Sequence, residues 1–344
     1  MGAIAMPPLD VPTRDRRLLL VVDAPSLLHR SHHARMHTRI TDRSGRPAWA
    51  LEGMVRQILD VIDGFAPDAV IFGLDDRTSS VRRDFYPDYK AGRAEKHPDL
   101  VDQLERAGAL LDALGLATLT PPGLEADDVN ASGAAWAGRN GWDCIIITSD
   151  RDAFAHISDH TRVLRVIDGG IAGSPLLTPK RLFAMYGVAA ERYLEYAALR
   201  GDASDNLPGV TGIGEKGAAA LLEHAGPMAT VWADIEHNEG LAVIAALDSW
   251  AEETGARRIG ASVVRRLAAP GARERYDFNV RLMGGQDDLD LGLTPDVPGS
   301  PGLLPLDPER ISKVVGFLNV EATTSLALRV LSGDPSFGRT LSRP

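Results

Sequence analysis

One cysteine, Cys144, stands in 344 residues, so no internal disulfide can brace the fold, and a buried thiol in a reducing, intracellular setting is expected. No apolar run approaches the roughly 18 residues that a membrane span needs. The opening stretch, MGAIAMPPLDVPTRDRR, lacks the apolar centre of a signal peptide. Internal repeats are absent. Positive charge is in short supply: 37 Lys and Arg against 47 Asp and Glu leave a net charge of −10, which taken alone argues against a nucleic-acid partner. What remains is a chain 44% hydrophobic and 24% charged, the composition of a soluble globular protein with enough length for one large domain or two small ones.

The apolar pattern alternates between short runs and helical periodicity. Leu18–Val22 is a short apolar run ending in Asp23, the look of a buried parallel strand. PDAVIFGLDDR, with Asp75 and Asp76 at its end, and WDCIIITSDRD, with Asp150 and Asp152, repeat the theme, and LATLT adds a shorter strand. Between them ALEGMVRQILDVIDGF has one apolar side, DLVDQLERAGALLDALG runs to a capping glycine at Gly115, and EADDVNASGAAWAGRNG places acids in a first helical turn, where the dipole favours them. This alternation predicts an α/β fold with a mostly parallel central sheet flanked by helices. HTRVLRVI and a hairpin-like DGGIAG follow. From Pro179 the chain turns mainly helical, with a Gly-rich loop at GVTGIGEKG. Residues 284–308 read as loop, and helical character returns behind Asp307, a candidate N-cap.

The acids carry the chemistry. Asp23, Asp75 and Asp150 each follow an apolar strand, and ligands of open α/β sheets bind beyond the carboxyl ends of the strands. Glu125 and Asp128, three apart at a helix start, share a face, as do Asp150 and Asp152 if the chain there is extended. Asp202 and Asp205 repeat the three-residue spacing. Taken singly, each group also reads as a turn or a cap; their recurrence at strand ends favours a metal site. Oxygen ligands without His or Cys suit Mg²⁺ or Mn²⁺, and the surplus of carboxylates suggests two or more ions, the arrangement that cleaves phosphodiesters. Two features offset the acidic total. Arg77, Arg82, Arg83, Lys90, Arg93 and Lys96 cluster against only Asp84, Asp88 and Glu95, and the loop at Gly212 and Gly214 with Lys216 reads either as a flexible turn or as a phosphate cradle opening a helix.

LLVVDAPSLLHRSHHA, FGLDDRTSSVRRDFYPDYKAGR, LEADDV, ITSDRDAF and LRGDASDNLPGVTGIGEKGAAALL, in that order, resemble the bacterial 5′-nuclease family, the 5′→3′ exonuclease domain of DNA polymerase I and its stand-alone flap endonuclease relatives; the likeness runs over roughly residues 17–333. The resemblance implies metal carboxylates at Asp23, Asp75, Glu125, Asp127, Asp128, Asp150, Asp152, Asp202 and Asp205. It implies Arg82 and Lys90 at the scissile phosphate, with Asp150 in the chemistry and Tyr89 stacking beside them. DNA contacts would come from Arg30, Arg82, Tyr89, Lys90, Arg93, Gly212, Gly214 and Lys216. It further implies a helical arch at about residues 84–100, a helix–two-turn–helix that grips duplex phosphates with a K⁺ ion, and a fold of the PIN/flap-endonuclease type. Domain expectations follow: a flexible tail at 1–15, a nuclease domain at 16–180, a mainly helical DNA-binding region at 181–280, and a C-terminal segment at 281–344 packing back on the nuclease domain. Expected partners are DNA with a 5′ flap, nick or 5′ end, an RNA–DNA primer and a separate DNA polymerase. The protein is expected to be a cytoplasmic monomer with no membrane contact. No polymerase region follows the likeness, so a stand-alone enzyme is expected. Ala24–Pro25 departs from the family's usual pair after the first Asp, and His32, His33 and His37 are more histidines than the family keeps, expected at surface or arch-base positions rather than as zinc ligands. A PIN-type ribonuclease and a catalytically weak flap-DNA-binding module are the alternatives.

Overall fold

The strongest apolar runs form the centre of a six-stranded sheet in the order β3-β2-β1-β4-β5-β6: β1 Leu18–Asp23, β2 Ala69–Gly73, β3 Ala117–Leu119, β4 Asp143–Thr148, β5 Thr161–Arg165 and β6 Leu176–Leu177. The first five are parallel, and β6 closes the edge antiparallel to β5. Every residue of β1, β2 and β4 is buried, because helices cover both faces. Alternate residues of β1 feed opposite layers: Leu19 and Val21 enter one core, Leu18, Leu20 and Val22 the other. The computed structural model describes residues 15–333 except Gly169; the expected tail, Asp15 apart, and residues 334–344 lie outside the described residues.

On one face lie α1 Ala24–Arg35, α2 Trp49–Phe65 and α4 Pro98–Leu114; the short α3 Val81–Phe85 precedes α4, and α5 Ala126–Asn140 packs on the opposite face against β1, β2 and β4. Gly115, at φ +92°, ends α4 as expected. Gly133 of α5 lies where any Cβ would stand 2.4 Å from Val21 Cγ2, so this glycine lets α5 approach the sheet.

Beyond the sheet follow α6 Pro179–Tyr186 and α7 Tyr193–Arg200, a small antiparallel ribbon of β7 Gly201–Asp202 and β8 Leu207–Pro208, and the helices α8 Glu215–His224, α9 Met228–Asn238, α10 Leu241–Thr254, α11 Gly260–Leu267 and α12 Ala272–Met283. The proposed boundary at 180/181 does not interrupt the packing: a single core runs from Leu19 and Val21 through Tyr193 and Leu221 to Val264.

Residues 284–307 contain no helix or strand, as their Pro, Gly and Asp content implies, and Asp307 caps α13 Pro308–Gly316 by accepting from the Glu309 N–H at 3.1 Å. α13 packs against α4, and α14 Glu321–Leu331 against α2. The Arg329 guanidinium holds both carboxylate oxygens of Asp63 at 3.0 Å, and the Thr323 hydroxyl donates to buried Glu52. The chain thus returns to the layer of α2 and α4 on the central sheet after building the helical region.

Candidate metal and nucleic-acid site

The strand order reverses between β1 and β4, and that switch point is where an open α/β sheet places its ligand. Asp23 is the last residue of β1 and caps α1 through the Ser26 N–H at 2.9 Å, so its other oxygen is left to receive the Thr148 hydroxyl at 2.6 Å. Asp75 and Asp150 lie two residues past the ends of β2 and β4, not directly on them. Asp75 accepts the Ala126 N–H at 3.0 Å, which ties the first turn of α5 to β2. Asp150 and Asp152 do not share an extended strand: the Asp152 N–H donates to Asp150 Oδ1 at 3.1 Å in a tight turn that leads into a short 3₁₀ helix. Asp23, Asp75, Asp127 and Asp150 line one cleft of about 220 Å³ together with Arg30, Lys90, Arg93 and Lys96.

Burial and mutual repulsion act on the acids together. Desolvation pushes Asp23 up to about 7, with Asp75 and Asp150 adding repulsion. It pushes Asp152 up to about 8, with Asp150, Asp202 and Asp205 as neighbours. Asp127 is raised well above the carboxylate range by burial, then by Asp150 and Asp23. Asp150 is the one charge that acts on all three. Asp152 also keeps a buried carboxylate oxygen with no hydrogen-bond partner. An oxygen-only set of crowded carboxylates with an orphaned buried oxygen fits a hard divalent ion. Among the described residues no three of these groups stand close enough together to form a finished ligand shell.

Basic side chains are interleaved instead. The segment 86–97 is turn and coil, so the expected helical arch at 84–100 contains only the end of α3 and the start of α4. Pro87, Gly92 and Pro98 oppose a continuous helix there, and the segment's cations lie on the acids. Lys90, in the left-handed region at φ +58°, puts its Nζ 3.0 Å from both oxygens of Glu125 and 3.8 Å from Asp205. Arg93 reaches Asp205 at 2.5 Å.

Several of the expected residues are held by partners within the protein. Arg82 is buried: its two terminal nitrogens grip Asp128 at 2.7 and 2.9 Å, and its Nε donates to the Leu282 carbonyl at 3.0 Å. Three of its N–H donors are thus spent on Asp128 and the Leu282 carbonyl, which fixes the first turn of α5. Asp128 is equally committed. It also accepts the N–H groups of Glu125 and Gln286, so each of its oxygens has two protein donors. Tyr89 is 4% exposed and donates its hydroxyl to Glu125 at 3.0 Å, so it has no face for a base to stack on. Asp202 spends one oxygen on the backbone and hydroxyl of Ser204. Arg30 pairs with exposed Asp168 at 2.8 Å. Gly212 does take a positive φ of +78°, whereas Gly214, at φ −99°, is ordinary extended backbone that opens α8, with Lys216 exposed in its first turn. Of the histidines, His33 and His37 are exposed, but His32 is buried beside Trp49 and His97. Sequence reasoning missed Thr148, Ser26, Ser149 and Gln286, which hold the acids or their turn; the Ser-Asp pair after β4 was a usable signal, and Gln286 carried none.

The sequence carries the same grouping. Residues 18–187 match the model for the 5′-3′ exonuclease N-terminal resolvase-like domain, and residues 188–269 the model for the 5′-3′ exonuclease C-terminal SAM fold. The chain belongs to the 5′-3′ exonuclease family. A thermostable DNA polymerase I of Thermus aquaticus is 41% identical over 212 residues, 61% of this chain and 24% of that protein. DNA polymerase I of Mycobacterium tuberculosis is 32% identical over 231 residues, 67% of this chain and 25% of that protein. The matched part of the chain therefore spans about a quarter of the length of these relatives. In fold it is similar to the T5 D15 protein co-crystallized with metal ions, at TM-score 0.59 and 18% identity over 92% of this chain and 100% of the other. The catalytic core of Rad2 in complex with DNA substrate gives 0.52 and 18% over 92% of each.

The crowding has a measurable sign. Each raised carboxyl favours the folded state while it is protonated, and this contribution disappears as pH climbs through about 7 for Asp23 and about 8 for Asp152. In chelator, the melting temperature is expected to be lower above these values than near pH ~5.5, and a divalent ion added at the higher pH should recover it. A melting temperature in chelator that does not fall across that range would mean that the acids are not crowded.

Proposed function

We propose that this 5′-3′ exonuclease chain is a divalent-metal-dependent, structure-specific 5′ nuclease, a flap endonuclease or 5′→3′ exonuclease that hydrolyses phosphodiesters near single-strand/duplex junctions of DNA during replication and repair. The observation that carries this reading is the convergence of Asp23, Asp75, Asp127 and Asp150 on one cleft with Lys90 and Arg93 between them. A neighbouring groove of about 910 Å³, which also contains Asp150, extends past Asp202 to Glu215 at the start of α8. It gives a duplex a path from the acids to the open N-terminus of that helix, whose unpaired N–H groups suit a phosphate.

Asp23, Asp75, Asp127, Asp150 and Asp152 would hold the ions, Mg²⁺ or Mn²⁺ by their oxygen chemistry, and Glu125, Asp202 and Asp205 would complete the acidic surround. Bound ions supply Lewis acidity toward the phosphate and neutralise charge on it. Lys90 and Arg93 orient the phosphoryl oxygens and stabilise charge that develops there. Arg82 and Asp128 fix the first turn of α5, on which Glu125 and Asp127 depend. A K⁺ ion at the Gly212 loop, RNA–DNA primers as substrates, a separate DNA polymerase as partner and a cytoplasmic location belong to the same reading. No described helix is long and apolar enough to cross a membrane.

The test is cleavage of a 5′-flap, a nicked and an intact duplex, with Mg²⁺ or with chelator. Metal-dependent cutting confined to the junction is expected. Cutting of RNA alone, or tight flap binding without cutting, would replace this reading with a PIN-type ribonuclease or a binding module. Flap affinity should also fall with salt at a log–log slope of about −0.9 per phosphate neutralised.

Gly214→Val tests the α8 contact cleanly. No atom lies within 4 Å of a Cβ placed there, and the backbone is not strained, so the fold should tolerate valine. Duplex binding should weaken while ion binding and melting temperature hold. Unchanged duplex affinity would make the loop a turn and no more.

A further inference from the structure

α12 carries Arg275, Phe278 and Arg281 at three-residue spacing, so the three share one side of the helix. Against that side lie Phe85 and Tyr86 from the end of α3. The Phe278 ring stacks on Phe85 at 5.4 Å and 29°, and takes Tyr86 edge-on at 5.2 Å and 86°. The Arg281 guanidinium sits 3.7 Å over the Phe85 ring, and that of Arg275 5.3 Å over Phe278. Phe85 is nonetheless 40% exposed. Among the described residues neither arginine has a carboxylate partner; Asp277, beside them in sequence, lies within 4.0 Å of Arg273 instead. In a chain of net charge −10, this leaves a small cationic, aromatic surface. It is continuous with the site, since Tyr86 also lines the groove that contains Asp150.

A purely structural ladder would bury its rings and pair its charges. This one leaves Phe85 and Arg281 exposed, with Arg275 half-buried beside them. Phe278 and Arg281 already lie against the Phe85 ring, so the plane left to a base is the guanidinium of Arg281; bases stack on such a plane and phosphates meet such a cation, but only an unpaired strand offers its base faces. We propose that the Phe85–Phe278–Arg281 ladder is a stacking platform for an unpaired strand of the substrate, beside the groove that takes the duplex. The inference rests on the nuclease reading above and adds a subsite to it.

The experiment measures fluorescence anisotropy in chelator with two labelled probes, a 5′-flap DNA with a flap of roughly ten thymidines and the same duplex with a nick and no flap. Phe85→Ala and Arg281→Gln are each expected to weaken flap binding, together roughly tenfold, and to leave the nicked duplex unaffected. Phe85→Trp, which keeps a ring, should bind the flap like the native chain. Should Phe85→Ala unfold, the exposed Arg281→Gln change still reports. Wild-type flap affinity in the variants would overturn the platform, and so would equal losses on both probes, which would mean general charge or helix packing. An advantage of the flap over the nicked duplex, lost in the variants of a protein that cuts neither probe in Mg²⁺, would keep the platform and remove the nuclease.

Discussion

Asp150→Asn is expected to slow single-turnover cleavage of a 5′-flap by about 100- to 1,000-fold while flap affinity in chelator holds or rises modestly. Asparagine keeps the side chain's size and can still accept the Asp152 N–H, so the turn after β4 should survive. What is lost is the charge that bears on Asp23, Asp127 and Asp152 at once. With it go part of the affinity for divalent ions and part of the repulsion toward DNA phosphate. Catalysis and binding should therefore move in opposite directions. The control is Asp60→Asn, on the exposed side of α2. Asp63 on the same helix is unsuitable because Arg329 grips it and ties α14 down. Near-native cleavage by Asp150→Asn would sink the assignment of the site, and slow cleavage with equally poor binding and a lowered melting temperature would make Asp150 a structural residue.

Arg82→Gln should act through the fold first. It strands the Asp128 carboxylate, 2% exposed, without the guanidinium that neutralises it. Breaking a buried pair from one side costs about 3–5 kcal/mol. Denaturant unfolding measures this directly. Removing both charges together, as in Arg82→Met with Asp128→Leu, should cost less than Arg82→Gln, because no charge is then left buried. Arg82→Lys should recover only part, since an ammonium cannot hold both oxygens of Asp128 and the Leu282 carbonyl together. A stability change for Arg82→Gln within about 0.5 kcal/mol would show that the pair is dispensable and would free Arg82 for a role at the phosphate.

These two residues also mark how far the sequence could be read. The place of Asp150 was legible because a buried parallel strand has an unmistakable pattern, and the acid just past its end lines a cleft with Asp23, Asp75 and Asp127. Arg82 was not. Its neighbours Val81, Arg83 and Asp84 are exposed, and nothing local says that its guanidinium turns inward to meet an acid 46 residues away and a carbonyl on α12. Tyr89 is similar: aromatic character suggests stacking, and only the packed structure reveals its hydroxyl bond to Glu125. The sheet, α4 with its Gly115 cap and the Asp307 cap follow from local rules of periodicity and capping. The 86–97 segment follows only in part: Pro87, Gly92 and Pro98 oppose a continuous helix, but its ion pairs with Glu125 and Asp205 lie far along the chain.

The return of the chain to its own sheet sets the order in which the protein can become functional. Gln286 supplies an N–H to Asp128, the Gly302 carbonyl accepts from Val70 of β2, and Ile311, Val315 and Leu331 complete the core over α2 and α4. These segments follow every strand of the central sheet in sequence, so the core over α2 and α4 is complete only once they are made. Until then the apolar faces of α2 and α4 stay open to wrong partners, and non-local closure of this kind is slow. A fragment ending at residue 269, where the family match stops, would hold every acid of the site and lack the segments that finish it. Such a fragment should collapse into an aggregation-prone intermediate, which makes the last 60 or so described residues the step that commits the nascent chain to its native state.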